Sequence, residues 1–223
     1  MRDCATTLDS ELSSNELVNL IDILVHKKLK GIHLEIGTAA GGTLCKLMCS
    51  YRDKLHSCPK FIVVDPLKYF PNQYEKVMEN LSNHHLGSYS VEFIQSSSNE
   101  AFFAFSQDPR PLDFILIDGN HKANYVMKDL RWAKYIDVGG ILCLHDYGVL
   151  QKGVKLTTDR FLSKNLNYKI LKQVDKLLII EKIAKSSIVE VGFMDICYSA
   201  IISLTIQLEI SFKKRMRKLP FKK

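Results

Sequence analysis

The chain lacks most of the marks that would place it outside the cell or across a membrane. Its first residues, Met1-Arg2-Asp3-Cys4-Ala5, contain no apolar stretch of the kind that opens a secretory signal. None of its six cysteines (Cys4, Cys45, Cys49, Cys58, Cys143 and Cys197) forms a Cys-x-x-Cys pair. That argues for reduced structural thiols, as expected in a cytosolic protein. The longest uncharged part of the C-terminal apolar stretch, Ile196 to Leu208, is 13 residues, short of the roughly 20 that a spanning helix needs. A basic body is missing too. The net charge of +7 falls wholly in residues 213–223, which carry seven Lys and Arg and no acid, so residues 1–212 are neutral. A neutral body without an aromatic-basic platform offers nucleic acid little to bind.

What is present is organised around Ile32-His33-Leu34-Glu35-Ile36-Gly37-Thr38-Ala39-Ala40-Gly41-Gly42-Thr43. An apolar run ending in an acid meets a loop of small residues, and a helical pattern follows from Leu44. This predicts a buried strand, a tight turn and a helix N-terminus. The glycines allow a sharp turn and close approach of a ligand, and free N–H groups at the helix start favour a polar or anionic group. A plain βα turn in any α/β protein accounts for the loop equally well.

Later stretches repeat the pattern. Phe61-Ile62-Val63-Val64 runs into Asp65-Pro66, where an acid can accept hydrogen bonds from ribose hydroxyls. Val91 to Ile94 is a short strand, and Ser96, Ser97 and Ser98 after it either contact a base or cap a Phe-rich helix. Leu112 to Ile117 ends in Asp118 and then His121, and Gly139-Gly140 leads into Ile141 to Leu144, which ends in His145-Asp146-Tyr147. Upstream, Ser13 and Glu16 form a capping-box pattern for a helix whose apolar face includes Leu17, Leu20, Ile21 and Leu24, with Gly31 as its stop. Helices are also predicted over 72–81 and 158–165. Tyr168 to Leu171 and Lys176 to Ile180 read as a closing antiparallel pair.

Strand–helix alternation predicts an α/β fold, a doubly wound and mostly parallel sheet with helices on both faces. Ligands of such sheets bind beyond the carboxyl ends of the strands, where Glu35, Asp65, Asp118, His121, His145 and Asp146 all fall. Three segments are expected: an N-terminal helical segment (1–31), a ligand-binding domain (32–185) and an apolar helix with a basic tail (186–223). That last segment either docks on its own domain or a second subunit, lies in a membrane interface, or spans.

Together, the motifs over roughly residues 32–182 resemble a class I S-adenosylmethionine-dependent methyltransferase of the methyltransferase-24 type, a group similar to catechol and macrolide-sugar O-methyltransferases. Ile117-Asp118-Gly119-Asn120-His121 with Gly139-Gly140 to His145-Asp146-Tyr147 carries the resemblance most specifically. It implies a seven-stranded, Rossmann-like methyltransferase fold with an antiparallel last strand. It also implies that Glu35, Gly37, Thr38 and Gly41 serve the methionine part of the cofactor, with Asp65 on the ribose and Ser97 or Ser98 near the adenine. In metal-dependent relatives, positions matching Asp118, His145 and Asp146 hold Mg²⁺, and a base matching His121 deprotonates the acceptor. A histidine at 145 departs from that pattern, because Mg²⁺ prefers oxygen ligands.

The expectation is therefore an O-methyltransferase acting on a small-molecule or sugar hydroxyl. S-adenosylmethionine would be its cofactor, with Mg²⁺ or another divalent metal as a candidate. No nucleic-acid partner is expected, and peripheral membrane contact and homo-oligomerisation stay open. A nicotinamide-dependent oxidoreductase is the weaker alternative. Gly37-x-Ala39-x-x-Gly42 is only a loose fingerprint, and Asp65 lies 28 residues beyond Gly37, where about 20 is usual. A non-catalytic cofactor-binding or membrane scaffold is the other.

Overall fold

The computed structural model describes residues 10–216. Expectations for Cys4, for the other N-terminal residues to Asp9 and for the last seven residues lie outside the described residues.

Seven strands form one sheet: β1 (Ile32–Ile36), β2 (Lys60–Val64), β3 (Val91–Ile94), β4 (Leu112–Ile117), β5 (Ile136–Leu144), β6 (Tyr168–Val174) and β7 (Leu177–Lys182). Their order is β3-β2-β1-β4-β5-β7-β6. The first five pair in parallel, and β7 runs antiparallel between β5 and β6. The chain thus winds outward from β1 through β2 to β3, then returns to β4 on the other side. That reversal opens a crevice beyond the carboxyl ends of β1 and β4. This is the expected seven-stranded methyltransferase-like fold, closing antiparallel pair included.

Helices cover both faces: α1 (Ser14–Lys27), α2 (Gly42–Leu55), α3 (Gln73–Asn83), α4 (Ser98–Phe105), α5 (Ala123–Asp129), α6 (Lys152–Lys164) and α7 (Phe193–Met216), with a 3₁₀ turn over Leu130–Tyr135. Alternate strand residues feed two cores, as the pleat requires. Phe61 and Val63 pack with Leu20, Leu24 and Met48 under α1 and α2. Ile62 and Val64 pack with Trp132 and Phe102 on the other face.

Several boundaries differ from expectation. The capping box of α1 forms as predicted: the Ser13 side chain accepts from the Glu16 N–H, and Glu16 accepts from the Ser13 N–H at 2.7 Å. The helix stops earlier than Gly31, because Lys28 takes the left-handed conformation (φ 53°) at its end. Gly31 has another duty. Its N–H donates to Asp113 at 2.6 Å, and a Cβ there would come within 2.8 Å of that carboxylate. Strand β5 begins at Ile136 rather than Ile141. A register break spans this segment, with Gly139 at φ +89° inside it, so the two glycines sit within the strand rather than before it. Helix α6 begins at Lys152 rather than 158. No disulfide joins the five described cysteines.

Candidate active site

The glycine loop makes its tightest contacts with the protein itself. Gly37 has φ +86°, and a Cβ there would lie 2.5 Å from the Asp118 carbonyl oxygen, so only glycine lets the tips of β1 and β4 touch. The Thr38 N–H then donates to Asp65 at 3.0 Å, and the Leu67 N–H donates to the other Asp65 oxygen at 2.6 Å. These bonds fix the second-strand acid at the crevice. Thr38 donates its hydroxyl to Glu35 at 3.3 Å. Gly41 corrects the expectation drawn from the motif. It lies outside the cleft wall, and a Cβ on it would press to 3.0 Å from Val77 of α3. It seats a helix.

The crevice is a cavity of about 1040 Å³, large enough for a cofactor and a small acceptor together. Glu35, Gly37, Thr38, Asp65, Ser97, Ser98, Asp118, His121 and Asp146 all line it. Glu35 is fully buried at its base. Burial, reinforced by the charge of Asp118 and opposed by the Thr38 bond, pushes its pKa up to about 8. Ser97 is the cap of α4, forming a capping box with Glu100. Ser98 accepts from the Trp132 indole N–H at 3.0 Å and donates to Asp129. Of the two readings of these serines, capping is therefore met at Ser97, and both side chains still border the cleft.

The histidines part company. His121 is in the loop after β4, not on a helical turn above Asp118. Its Nε2 lies 3.2 Å from Asp146 without hydrogen-bond alignment, and that buried nitrogen has no hydrogen-bond partner. His145 is buried and does not line the cleft. Its Nδ1 is 2.9 Å from Asp118, and its Nε2 is 3.5 Å from Glu16 of α1. Burial works to lower the pKa of His145. The bond to Asp118, with the charges of Asp118, Glu16 and Asp146, outweighs it, and the net shift is upward.

These positions bear on the metal. Both nitrogens of His145 already face carboxylates, and Asp146 faces His121 and Lys176. Among the described residues no group of three His, Cys, Asp or Glu side chains is placed to hold a metal ion. The ligand set expected of Asp118, His145 and Asp146 is not assembled, and the imidazole of His145 stands between the Asp118 and Glu16 carboxylates instead.

Three contributors escaped the sequence. Asp129 lines the cleft fully buried, with burial the main cause that pushes its pKa up to about 7. In the sequence it reads as a surface acid between Lys128 and Leu130. Glu16 shows only as a helix cap, yet it also accepts from the Lys176 N–H at 2.8 Å and faces His145. Helix α7 supplies a cleft wall through Ser203, Ile206 and Ile210. No local signal places so distant a segment there.

Known structures share the fold. The structure resembles the O-methyltransferase NovP at 16% identity, covering 78% of this chain and 82% of that one with a TM-score of 0.65. It resembles CalS11, a TDP-rhamnose 3′-O-methyltransferase of calicheamicin biosynthesis, at 12% identity, 74% and 77% coverage and a TM-score of 0.62. An O-methyltransferase from Bacillus cereus, solved with S-adenosylhomocysteine, matches at 16% identity, 81% and 87% coverage and a TM-score of 0.59. At such identities the likeness is one of fold. No curated protein matches the chain. Residues 34–147, just over half of the chain, match the family model described as a methyltransferase domain. They include the glycine loop, Asp65, Asp118, His121 and Asp146, and the chain belongs to that family, the methyltransferase-24 type of class I S-adenosylmethionine-dependent methyltransferases.

Proposed function

We propose that the protein is an O-methyltransferase acting on a hydroxyl of a small molecule or sugar, with residues 32–185 as its cofactor-binding domain. The observation that carries this reading is the placement of His121, with its unbonded Nε2 beside Asp146, on the same cleft wall as Glu35, Thr38 and Asp65. Asp65 holds the ribose hydroxyls through oxygen lone pairs left over from its two backbone bonds. Glu35 and the Gly37–Thr38 turn face the methionine part, and Ser97, Ser98 and Asp129 border the base.

When bound, S-adenosylmethionine supplies a sulfonium methyl that passes to the acceptor oxygen, the S–CH₃ bond breaking as the O–CH₃ bond forms. The chain's own task is to remove the hydroxyl proton and hold the oxygen in line. With its Nε2 held 3.2 Å from Asp146, the His121 imidazole takes that proton at Nδ1, and the nearby Asp146 charge stabilises the imidazolium. Asp118, bonded to His145, keeps the rim of β4 fixed. The surroundings of His145 argue for deprotonation by imidazole alone, with no resident metal. Peripheral contact of the outward face of α7, with a membrane or a second copy, accompanies this reading.

The test is a methyl-transfer assay with radiolabelled S-adenosylmethionine across nucleotide sugars, glycosides and phenols. Label on an acceptor oxygen with the full chain, lost in His121→Ala, is the expected result. Label on nitrogen or carbon would overturn the O-acceptor assignment. Unchanged turnover in His121→Ala would remove that residue from the chemistry.

A further inference from the structure

Helix α7 turns a mixed face inward and leaves an apolar stripe outside, unlike the usual surface helix of a soluble domain. Ile196 and Tyr198 pack on the core, and polar side chains anchor the rest of that face. Asp195 pairs with Arg160 and Lys164, Ser203 bonds Asn124, and Glu209 pairs with Lys152. The opposite stripe, Ile201, Leu204, Leu208 and Phe212, is 62–65% exposed. By length and composition the helix could cross a bilayer: its most apolar 18-residue window has a mean hydropathy of 1.4, and only 11% of that window is buried. Its polar anchors, spread from Asp195 to Glu209, instead fasten it lengthwise to α5 and α6. It is about 36 Å long at 1.5 Å per residue, and the apolar stripe along it runs directly into Lys213, Lys214 and Arg215. The sequence adds four more cations and no acid after these. An apolar stripe lying flat beside a cationic end matches the headgroup and acyl layers of an anionic bilayer.

The same helix is a wall of the cleft. Ile206 and Ile210 line the cavity, and across it Tyr69 and Leu150 stand 82% and 84% exposed. The opening to His121 is therefore bordered by apolar side chains from three separate segments, which suits an acceptor with an apolar portion.

We propose that α7 lies in the interface of an anionic bilayer, and that the acceptor hydroxyl is carried by a membrane-borne amphiphile entering past Tyr69, Leu150 and Ile210. This rests on the methyltransferase reading of the cleft, and the hydroxyl proton again passes to His121.

The experiment is flotation of the full chain with phosphatidylcholine vesicles, with and without phosphatidylglycerol. It is paired with transfer of tritium from S-adenosylmethionine into the lipid extract of the source cells' membranes, counted above an enzyme-free background. The chain should float with the anionic vesicles, and label should enter the lipid phase. In the double variant Leu204→Asp/Leu208→Asp, whose changes face away from the cleft, the bound fraction should fall at least about tenfold. That variant should still gain thermal stability from S-adenosylhomocysteine. Failure of the full chain to bind, or equal binding by the variant, would overturn the proposal. So would label confined to the aqueous phase, or a lipid-free dimer that the variant abolishes, since a second copy would then be the partner. If S-adenosylhomocysteine does not stabilise the full chain, the reading of the cleft fails, and the acceptor assignment with it.

Discussion

The imidazole of His121 stands beside Asp146 on the cleft wall, whereas that of His145 is enclosed by Glu16 and Asp118. That difference fixes which of the two an acceptor can reach. His121→Ala should leave S-adenosylhomocysteine affinity unchanged and lower kcat by about 10²–10⁴-fold, the usual worth of a general base; titration calorimetry and steady-state rates check both halves. Asp146→Asn should also keep the cofactor, since Asn tolerates the left-handed backbone at this position (φ 55°). Its kcat should fall at least about tenfold with the imidazolium's counter-charge gone. Glu35 offers a separate test through stability. Its pKa is raised from 4.5 to about 8 in the folded chain. Below the lower value both states hold the proton. As pH rises between the two values the unfolded chain releases it and the folded chain does not, so stability is lost across that window. Chemical denaturation of the cofactor-free protein should show that loss, and Glu35→Gln should flatten it.

At the scale of elements, local chemistry decides what could be read in advance. The α1 capping box is written in Ser13 and Glu16, and it forms; Ser13→Ala should destabilise the fold by about 1 kcal/mol in denaturant melts. The strand ends at Asp65, Asp118 and His145-Asp146 are legible because each buried apolar run stops abruptly at an ionisable group. The place of Gly41 is not, since its neighbour is Val77 of α3, far along the chain. The metal set fails for a related reason. The pattern puts Asp118, His145 and Asp146 near one another but does not reveal that Glu16, arriving from α1, helps enclose the imidazole. The start of β5 is not legible, because its paired glycines look like a turn, while in the sheet they lie within the strand, at a register break. Asp129, enclosed by tertiary packing, has no local signature at all.

Across the whole molecule, the winding of the sheet brings scattered side chains to one rim, and α7 returns from the far end of the sequence to close it. A single core fault should therefore be felt at the site. Trp132 is fully buried beneath Ser98, so Trp132→Ala should cost about 3–5 kcal/mol and weaken cofactor binding together with stability. The central claim is that the crevice between β1 and β4 binds S-adenosylmethionine with Asp65 on its ribose. Titration calorimetry with S-adenosylhomocysteine tests it most directly. One molecule should bind per chain, and Asp65→Ala should weaken binding about tenfold to a hundredfold, as loss of a charged hydrogen-bond partner does, while His121→Ala binds as the natural chain does. No binding by the natural chain, or binding indifferent to Asp65, would contradict the account.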